Sequence, residues 1–152
     1  MQIAATALHP FERGGGAESA FKVQFDLQEL MQSLVGIVRR EDEILRALEG
    51  LDRLNARAQR VGVTGHREFN PGWHTALDLR SLLTVSEAIT RAALERKESR
   101  GAQFRDDFPN KDPALGKSSV VIRKAADGSM QVHREPLPEM PAELKQIIDE
   151  MK

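Results

Sequence analysis

The sequence contains no cysteine in its 152 residues. This absence excludes disulfides, thiolate nucleophiles, iron–sulfur ligation and thiolate zinc sites. No apolar run approaches the roughly 20 residues that a transmembrane helix needs. The N-terminal residues also lack the basic region and apolar core of a signal peptide. We therefore expect no direct membrane insertion, so any membrane association would require a partner subunit.

Neither sign of charge is in clear excess. The chain carries 22 basic and 23 acidic residues, a formal net charge of −1. Nucleic-acid-binding domains normally show a basic stripe, so we expect no nucleic-acid partner. With 40% hydrophobic and 30% charged residues, the composition is typical of a soluble globular protein that forms one domain.

Recognisable catalytic motifs are absent as well. No serine lies in a nucleophile elbow. The four histidines do not have the spacing of a metal site; these histidines are His9, His66, His74 and His133. The triplet Gly14-Gly15-Gly16 follows no predicted strand and precedes no Lys-Ser/Thr, so we interpret it as a flexible connector rather than a phosphate cradle. We predict that this chain holds no catalytic, cofactor-binding or metal-binding residue.

What is present is helical periodicity, which predicts a mostly α fold: a three-helix antiparallel, spectrin-repeat-like bundle over residues 26–109. Asp26 and Glu29 are typical of a capping box, and the first helix is predicted from about Leu27 to Val38. Gly50, inside the second helix, indicates either close approach by a neighbouring helix or a bend. The second helix places its apolar residues on one face: Ile44, Leu45, Leu48, Leu51, Leu54, Ala58 and Val61.

The third helix begins with Asn70-Pro71, an N-cap followed by proline at the first helical position. No further proline or glycine interrupts it after Gly72 until Gly101, which we expect to act as its C-terminal cap. The predicted core residues where the helices meet are Leu45, Leu48, Leu77, Leu83 and Ile89.

Both flanks of the bundle differ from it in character. Residues 1–25 are predicted to be an arm with little structure of its own. The tail, residues 110–152, carries a predicted β-hairpin with strands at 118–124 and 130–133 and a two-residue Asp127-Gly128 turn. After three prolines a short amphipathic helix follows, and a hairpin of this size must pack on the bundle or on a partner. The apolar positions of that helix are Leu144, Ile147, Ile148 and Met151.

The run from Glu98 to Pro109 pairs charges on both sides of Gly101. It resembles the Glu-Ser-Arg-Gly-Ala-x-x-Arg-x-Asp-x-Pro signature in the C-terminal helical domain of the flavoprotein subunit of succinate dehydrogenase and fumarate reductase, a family that includes L-aspartate oxidase. The likeness extends from about Pro10 to Arg123. Two features depart from it: Gln103 stands where many members carry His, and residues 112–117 replace the common Asp-Asp-x-x-Trp continuation.

The resemblance implies that FAD and the dicarboxylate substrate bind in preceding domains of a longer protein, and that this chain alone holds no cofactor and is no enzyme. The implied partners are the FAD-binding domain of the same polypeptide and an iron–sulfur subunit. The implied location is cytoplasmic, reaching the inner face of the membrane only through partner subunits. The alternative is a free-standing helical adaptor that binds another protein.

Arginine side chains are planar groups with five donors, suited to clamping carboxylates or carbonyls across an interface. On this ground, and by the resemblance, we predict an interface rather than a catalytic site. Without their outside partners, these arginines are expected to make only surface ion pairs, worth about 0–1 kcal/mol. The predicted interface residues are Arg39, Glu98, Arg100, Gly101, Arg105, Asp106 and Asp107.

Overall fold

The computed structural model describes residues 2–15 and 18–151. Within them the chain forms five α-helices and two small sheets. The helices are α1 (Gln2–Arg13), α2 (Ala20–Leu34), α3 (Glu41–Ala58), α4 (Pro71–Glu95) and α5 (Ala142–Glu150). The strands are β1 (Val38–Arg39), β2 (Phe104–Arg105), β3 (Ser118–Lys124) and β4 (Met130–Pro136).

Helices α2, α3 and α4 form the predicted three-helix bundle, which confirms the mostly α fold. The start of α2 lies beside the end of α3, because Arg57 donates to both Glu18 (2.9 Å) and Asp26 (2.8 Å). Halfway along, a Cβ on Gly50 would lie 2.6 Å from Leu30 Cδ1. The glycine therefore marks close approach of α2 and α3, the first of the two interpretations that the sequence left open.

The core contains fewer of the large residues than the sequence predicted. Leu83 is buried and Leu48 is partly buried, but Leu45, Leu77 and Ile89 are 41–47% exposed. Small and hydroxylated side chains take several of the inward positions instead. The Thr90 hydroxyl donates a hydrogen bond to the Ser86 carbonyl at 2.7 Å. The prediction of which helix face is buried was partly wrong, because it assigned the large apolar residues to the core. Short side chains occupy that face where the helices approach closely. The inward positions in α3 and α4 are Ile44, Ala47, Gly50, Leu51, Leu54, Leu79, Leu83, Ser86, Thr90 and Ala93.

The boundaries of α2 differ from the prediction at both ends. The helix begins at Ala20 rather than Leu27, because Ala20 and Val23 continue the buried face of the bundle. Asp26 caps nothing, and its carboxylate pairs with Lys22 and Arg57. The helix ends at Leu34 rather than Val38, because the chain leaves it to form β1 beside β2.

The start of α4 is as predicted and its end is not. The Asn70 side chain accepts a hydrogen bond from the Trp73 N–H at 3.0 Å, with Pro71 at the first helical position. The helix ends at Glu95, and Arg96 is already extended. Gly101 has a φ of 62° but lies in a tight turn between Arg100 and Gln103, so it is not the helix cap.

The arm expected over residues 1–25 is largely helical. Helix α1 docks on the start of α4, where Trp73 Nε1 donates to the Ala7 carbonyl at 2.8 Å and the Phe11 ring packs edge-on against Trp73. The Pro10 carbonyl accepts from the Val63 N–H at 2.9 Å. These partners are distant in sequence, which is why local signals missed the helix. Of the expected glycine connector, Gly16 lies outside the described residues.

Strands β3 and β4 form the predicted antiparallel hairpin, which contacts α4. The connection is longer than the two residues predicted, because residues 125–129 lie between the strands. The Ala125 N–H donates to the Ser129 carbonyl, and Gly128 adopts a φ of 89° as in a bulged turn. Beyond it, no residue of α5 is buried. None of the helices in the described residues is both long and apolar enough to cross a membrane.

Substituting Leu83→Ala should lower the free energy of unfolding by about 2–5 kcal/mol, because it leaves a cavity in the core. Leu45→Ala makes the same chemical change on an exposed face of α3 and should cost only about 0.5 kcal/mol. Urea denaturation of both variants checks the prediction. Equal midpoints would show that the two leucines are not buried differently.

Candidate docking site at the end of the bundle

Glu98 lies three residues beyond α4, and its side chain has no exposed surface. Its carboxylate accepts hydrogen bonds from Arg96 Nη1 (2.5 Å), from Arg100 Nε (2.9 Å) and Nη2 (3.0 Å), and from the Asp112 N–H (2.8 Å). The Arg100 hydrogen bonds above all lower the pKa of Glu98 to about 2, against the opposing effect of burial. The carboxylate is therefore fully engaged within the chain.

Arg105 is the second buried charge. Its guanidinium forms a bidentate pair with Asp107, both contacts at 2.8 Å, and donates to the Ala93 carbonyl at 2.8 Å. The Phe108 ring centroid lies 5.0 Å from the guanidinium carbon. Hydrogen bonding to Arg105 is the main cause that lowers the pKa of Asp107 to about 2. Arg105 thus satisfies carbonyls that the end of α4 leaves without helical partners.

These side chains form two ion-pair clusters, Arg96–Glu98–Arg100 and Arg105–Asp107. The Arg96 carbonyl links them by accepting from Arg105 Nη1 at 3.4 Å, and together they make up the arginine–carboxylate network. Asp107 accepts from the Glu41 N–H at 2.9 Å and so caps the first turn of α3. Arg96 reaches the Ser118 carbonyl at 2.8 Å, where β3 begins. The network consists of Arg96, Glu98, Arg100, Arg105 and Asp107.

Residues 112–117, which depart from the family signature, take part in this network. Arg100 Nη2 donates to the Asp112 carbonyl at 3.0 Å. A Cβ on Gly116 would lie 2.5 Å from the same nitrogen, so a side chain at this position would displace the Arg100 guanidinium. The segment closes over the Glu98–Arg100 pair.

Gln103, the other departure, bridges the network to β1. Its Oε1 accepts from Arg39 Nη1 at 3.0 Å, and its Nε2 donates to the Arg96 carbonyl at 3.0 Å. Arg39 also donates to the Gly36 carbonyl at 2.7 Å. Burial, and then the charge of Arg105, lower the pKa of Arg39.

The register of β1 and β2 decides which side chains face outward. The strands are parallel, and Val38 pairs with Phe104 while Arg39 pairs with Arg105. Because side chains alternate along a strand, the arginines turn inward and the apolar pair turns outward. Ile37, directly before β1, is also exposed. These three exposed apolar residues are called the docking patch: Ile37 (78%), Val38 (58%) and Phe104 (40%).

The structure brings all seven predicted interface residues to this end of the bundle but does not expose them equally. Glu98 and Arg105 are buried, whereas Gly101 and Asp106 are exposed and Asp106 pairs with Arg40 at 3.1 Å. The expectation that the arginines make only weak surface pairs is wrong, because Arg105 is fully enclosed. Their role in an interface remains a prediction.

Sequence reasoning missed the docking patch. It placed Val38 at the end of a helix and gave Ile37 and Phe104 no role. One signal was available in the sequence. Ile37 and Val38 directly follow Gly36, and this glycine separates them from the helical periodicity of the preceding residues.

The described residues do not form a site that could bind a flavin. Within the described ranges, no strand leads through a glycine-rich turn into a helix, the arrangement that holds a dinucleotide. No group of three His, Asp or Glu side chains in the same ranges could hold a metal ion. The residues therefore do not fit FAD, and we assign no redox step to them.

A sequence model of the family described as "Fumarate reductase flavoprotein C-term" matches residues 24–147. The chain therefore belongs to this family of flavoprotein C-terminal domains. It is 33% identical over 125 residues to the fumarate reductase flavoprotein subunit of Mycobacterium tuberculosis, covering 82% of this chain and 21% of that protein. It is 34% identical over 138 residues to the succinate dehydrogenase flavoprotein subunit of Coxiella burnetii, covering 90% and 24%.

Among solved structures, the chain is similar to Mycobacterium smegmatis Sdh1 in complex with UQ1, with 36% identity and a TM-score of 0.90. That match covers 97% of this chain and 25% of the chain that it matches in that structure. The chain thus spans about a fifth to a quarter of the length of the relatives that it matches.

Arg105→Ala should destabilise the chain by on the order of 3 kcal/mol, because it breaks a buried ion pair and leaves the α4 carbonyls without a donor. Arg40→Ala removes an exposed partner of Asp106 in the same region and should cost no more than about 0.5 kcal/mol. Chemical denaturation of the two variants provides the measurement. A loss for Arg105→Ala as small as that for Arg40→Ala would show that the network adds little stability.

Acid should unfold the chain through the same carboxylates. The pKa values of Glu98 and Asp107 are about 2 in the folded chain, below the ordinary values of about 4 of the unfolded chain. Their stabilisation is therefore complete above about pH 4.5 and is lost as the pH falls toward 2. Glu98→Gln should be less stable at pH 7 and lose stability less steeply between pH 4.5 and 2.

Glu49→Gln is the matched control for the acid titration, because Glu49 is 72% exposed and its nearest cation, on Arg53, is 3.9 Å away. Its unfolding free energy should follow the parent curve across the whole pH range. An unchanged acid slope in Glu98→Gln would contradict the assignment of the acid sensitivity to Glu98.

Proposed function

We propose that this chain is the C-terminal docking domain of an FAD-dependent succinate dehydrogenase or fumarate reductase flavoprotein. The docking patch packs on the FAD-binding domain of the same polypeptide, near the iron–sulfur subunit. The chain holds no FAD and catalyses no reaction by itself. The assembled enzyme lies on the cytoplasmic side of the membrane and reaches it through partner subunits.

The observation that carries this proposal is the docking patch itself, three exposed apolar side chains fixed on a rigid, internally satisfied network. A cluster of this kind is costly to leave in water and is typical of the centre of a protein interface. Arg100 and Asp106, which remain partly exposed at its edge, supply a polar rim. Since the carboxylates of the network are neutralised within the chain, the patch can be covered without burying an unpaired charge.

A free-standing adaptor is the second candidate, favoured by one observation. Helix α5 has no buried residue and exposes three apolar side chains with helical spacing, Leu144, Ile147 and Ile148. A helix that binds in a partner's groove has such a face. The reading frame upstream of Met1 separates the two candidates. A contiguous frame encoding a glycine-rich flavin fold favours the docking domain, and a stop codon there favours the adaptor.

The proposal is tested in the M. smegmatis Sdh1 complex by replacing the matching quarter of the similar chain of that complex with this chain. The chimera should retain stoichiometric flavin through gel filtration and co-purify with the other subunits of the complex, whereas the chain alone should be colourless. Loss of flavin or of the other subunits from a folded chimera would refute the docking role.

Two variants locate the contact within the chimera. Val38→Ser with Phe104→Ser should weaken assembly and flavin retention far more than it lowers the stability of the isolated chain, because Val38 is 58% and Phe104 40% exposed. Val85→Ser is the matched control: Val85 is 56% exposed on α4, outside the patch. Full assembly of the double variant would exclude the patch as the contact surface.

A further inference from the structure

Phe69 is an exposed aromatic residue in an unfavourable backbone conformation. Its side chain is 97% exposed and its φ is 53°, in the left-handed region where a bulky side chain crowds its own backbone. It is the single positive-φ residue other than glycine in residues 2–15 and 18–151. Left-handed backbone at a bulky residue costs free energy, and the ring buries almost no surface within this chain.

Asn70 holds Phe69 in this conformation. Its Nδ2 donates to the carbonyls of Thr64 (2.9 Å) and His66 (2.8 Å), while its Oδ1 caps α4. Gly65, with a φ of 91°, makes the turn that closes the loop. The loop over residues 64–70 is therefore preformed, and a partner that takes up the ring would need little further ordering.

A crevice of about 330 Å³ lies beside the loop, lined in part by Phe21, Val63, Pro71 and Gly72. Phe21 is itself 54% exposed. An exposed aromatic ring beside a crevice lined by both apolar and polar residues is typical of the centre of a protein interface, where aromatic anchors and pockets alternate.

The position of α1 identifies the partner. Through Trp73 and Val63, α1 is bonded to the same end of the bundle as Phe69. In a longer flavoprotein, the polypeptide that precedes α1 arrives at this end. Helix α4 has 25 residues, so the Phe69 loop lies about 37 Å from the docking patch at the opposite end.

We propose that Phe69 is a second anchor, whose ring enters an apolar pocket on the preceding, flavin-binding part of the same polypeptide. The bundle then lies lengthwise along that part and is held at both ends. This inference rests on the proposed function and deepens it by naming a second contact. Asn70 acts as a positioning residue, because it fixes the direction of the ring.

The test compares Phe69→Asn with Phe69→Trp, in the isolated chain and in the Sdh1 chimera. Asparagine accepts left-handed backbone without the added unfolded-chain freedom of glycine, so Phe69→Asn should keep or raise the thermal midpoint of the isolated chain, by on the order of 3 °C. In the chimera the same variant should lower the midpoint and increase flavin loss. Phe69→Trp retains an aromatic anchor and should preserve assembly.

The opposite signs of the two effects support an anchor, and a purely local strained loop would shift both midpoints upward. A chimera that assembles equally well with Phe69→Asn overturns the inference while the docking patch stands. A fall in the isolated chain's midpoint also overturns it, by giving Phe69 a role within the fold. If the chimera with the native loop fails to assemble, the proposed function fails, and this inference fails with it.

Discussion

The end of the bundle depends on one interaction, the burial of the Arg105 guanidinium against Asp107 and the last carbonyls of α4. A charge with no exposed surface is tolerated only if its donors are satisfied, and here carboxylate oxygens and backbone carbonyls satisfy them. Because Asp107 also caps α3, the same ion pair sets how the second and third helices of the bundle meet. Glu98 is likewise a buried charge paired with arginines, Arg96 and Arg100. Arg96 also donates to the Ser118 carbonyl and so connects this cluster to the start of the hairpin.

This arrangement changes how the charged signature is understood. The sequence suggests arginines that reach toward a partner, yet the β1–β2 register turns them inward and leaves Val38 and Phe104 on the surface. A motif rich in charge can therefore support an interface from behind, by making a rigid platform for apolar side chains. Under the proposed function, the residues that contact the partner are the apolar ones of the docking patch rather than the charged ones of the signature.

The two proposed contacts differ in how the fold prepares them. The docking patch is held by long-range ion pairs, whereas Phe69 is held by the side chain of its immediate neighbour, Asn70. Both are preformed, so association requires little reordering of this chain. Placed at opposite ends of α4, they would prevent the bundle from rocking about a single contact.

The sequence by itself determined the features that arise within a few residues of one another. These include the start of α4 at Asn70-Pro71, the helical periodicity of the bundle and the hairpin around Gly128. Each depends on local backbone geometry or on caps that a neighbouring side chain supplies.

The tertiary structure decided where α4 ends, which face of each helix is inside, and which side of β2 is exposed. Arg96 leaves the helix because its side chain donates to Glu98 and to the carbonyls of Leu115 and Ser118. Arg105 turns inward because β2 pairs with a strand more than sixty residues earlier. Such choices depend on which distant donor meets which acceptor. Local periodicity does not predict these long-range pairings, since a one-residue change in strand register exchanges the buried and exposed faces.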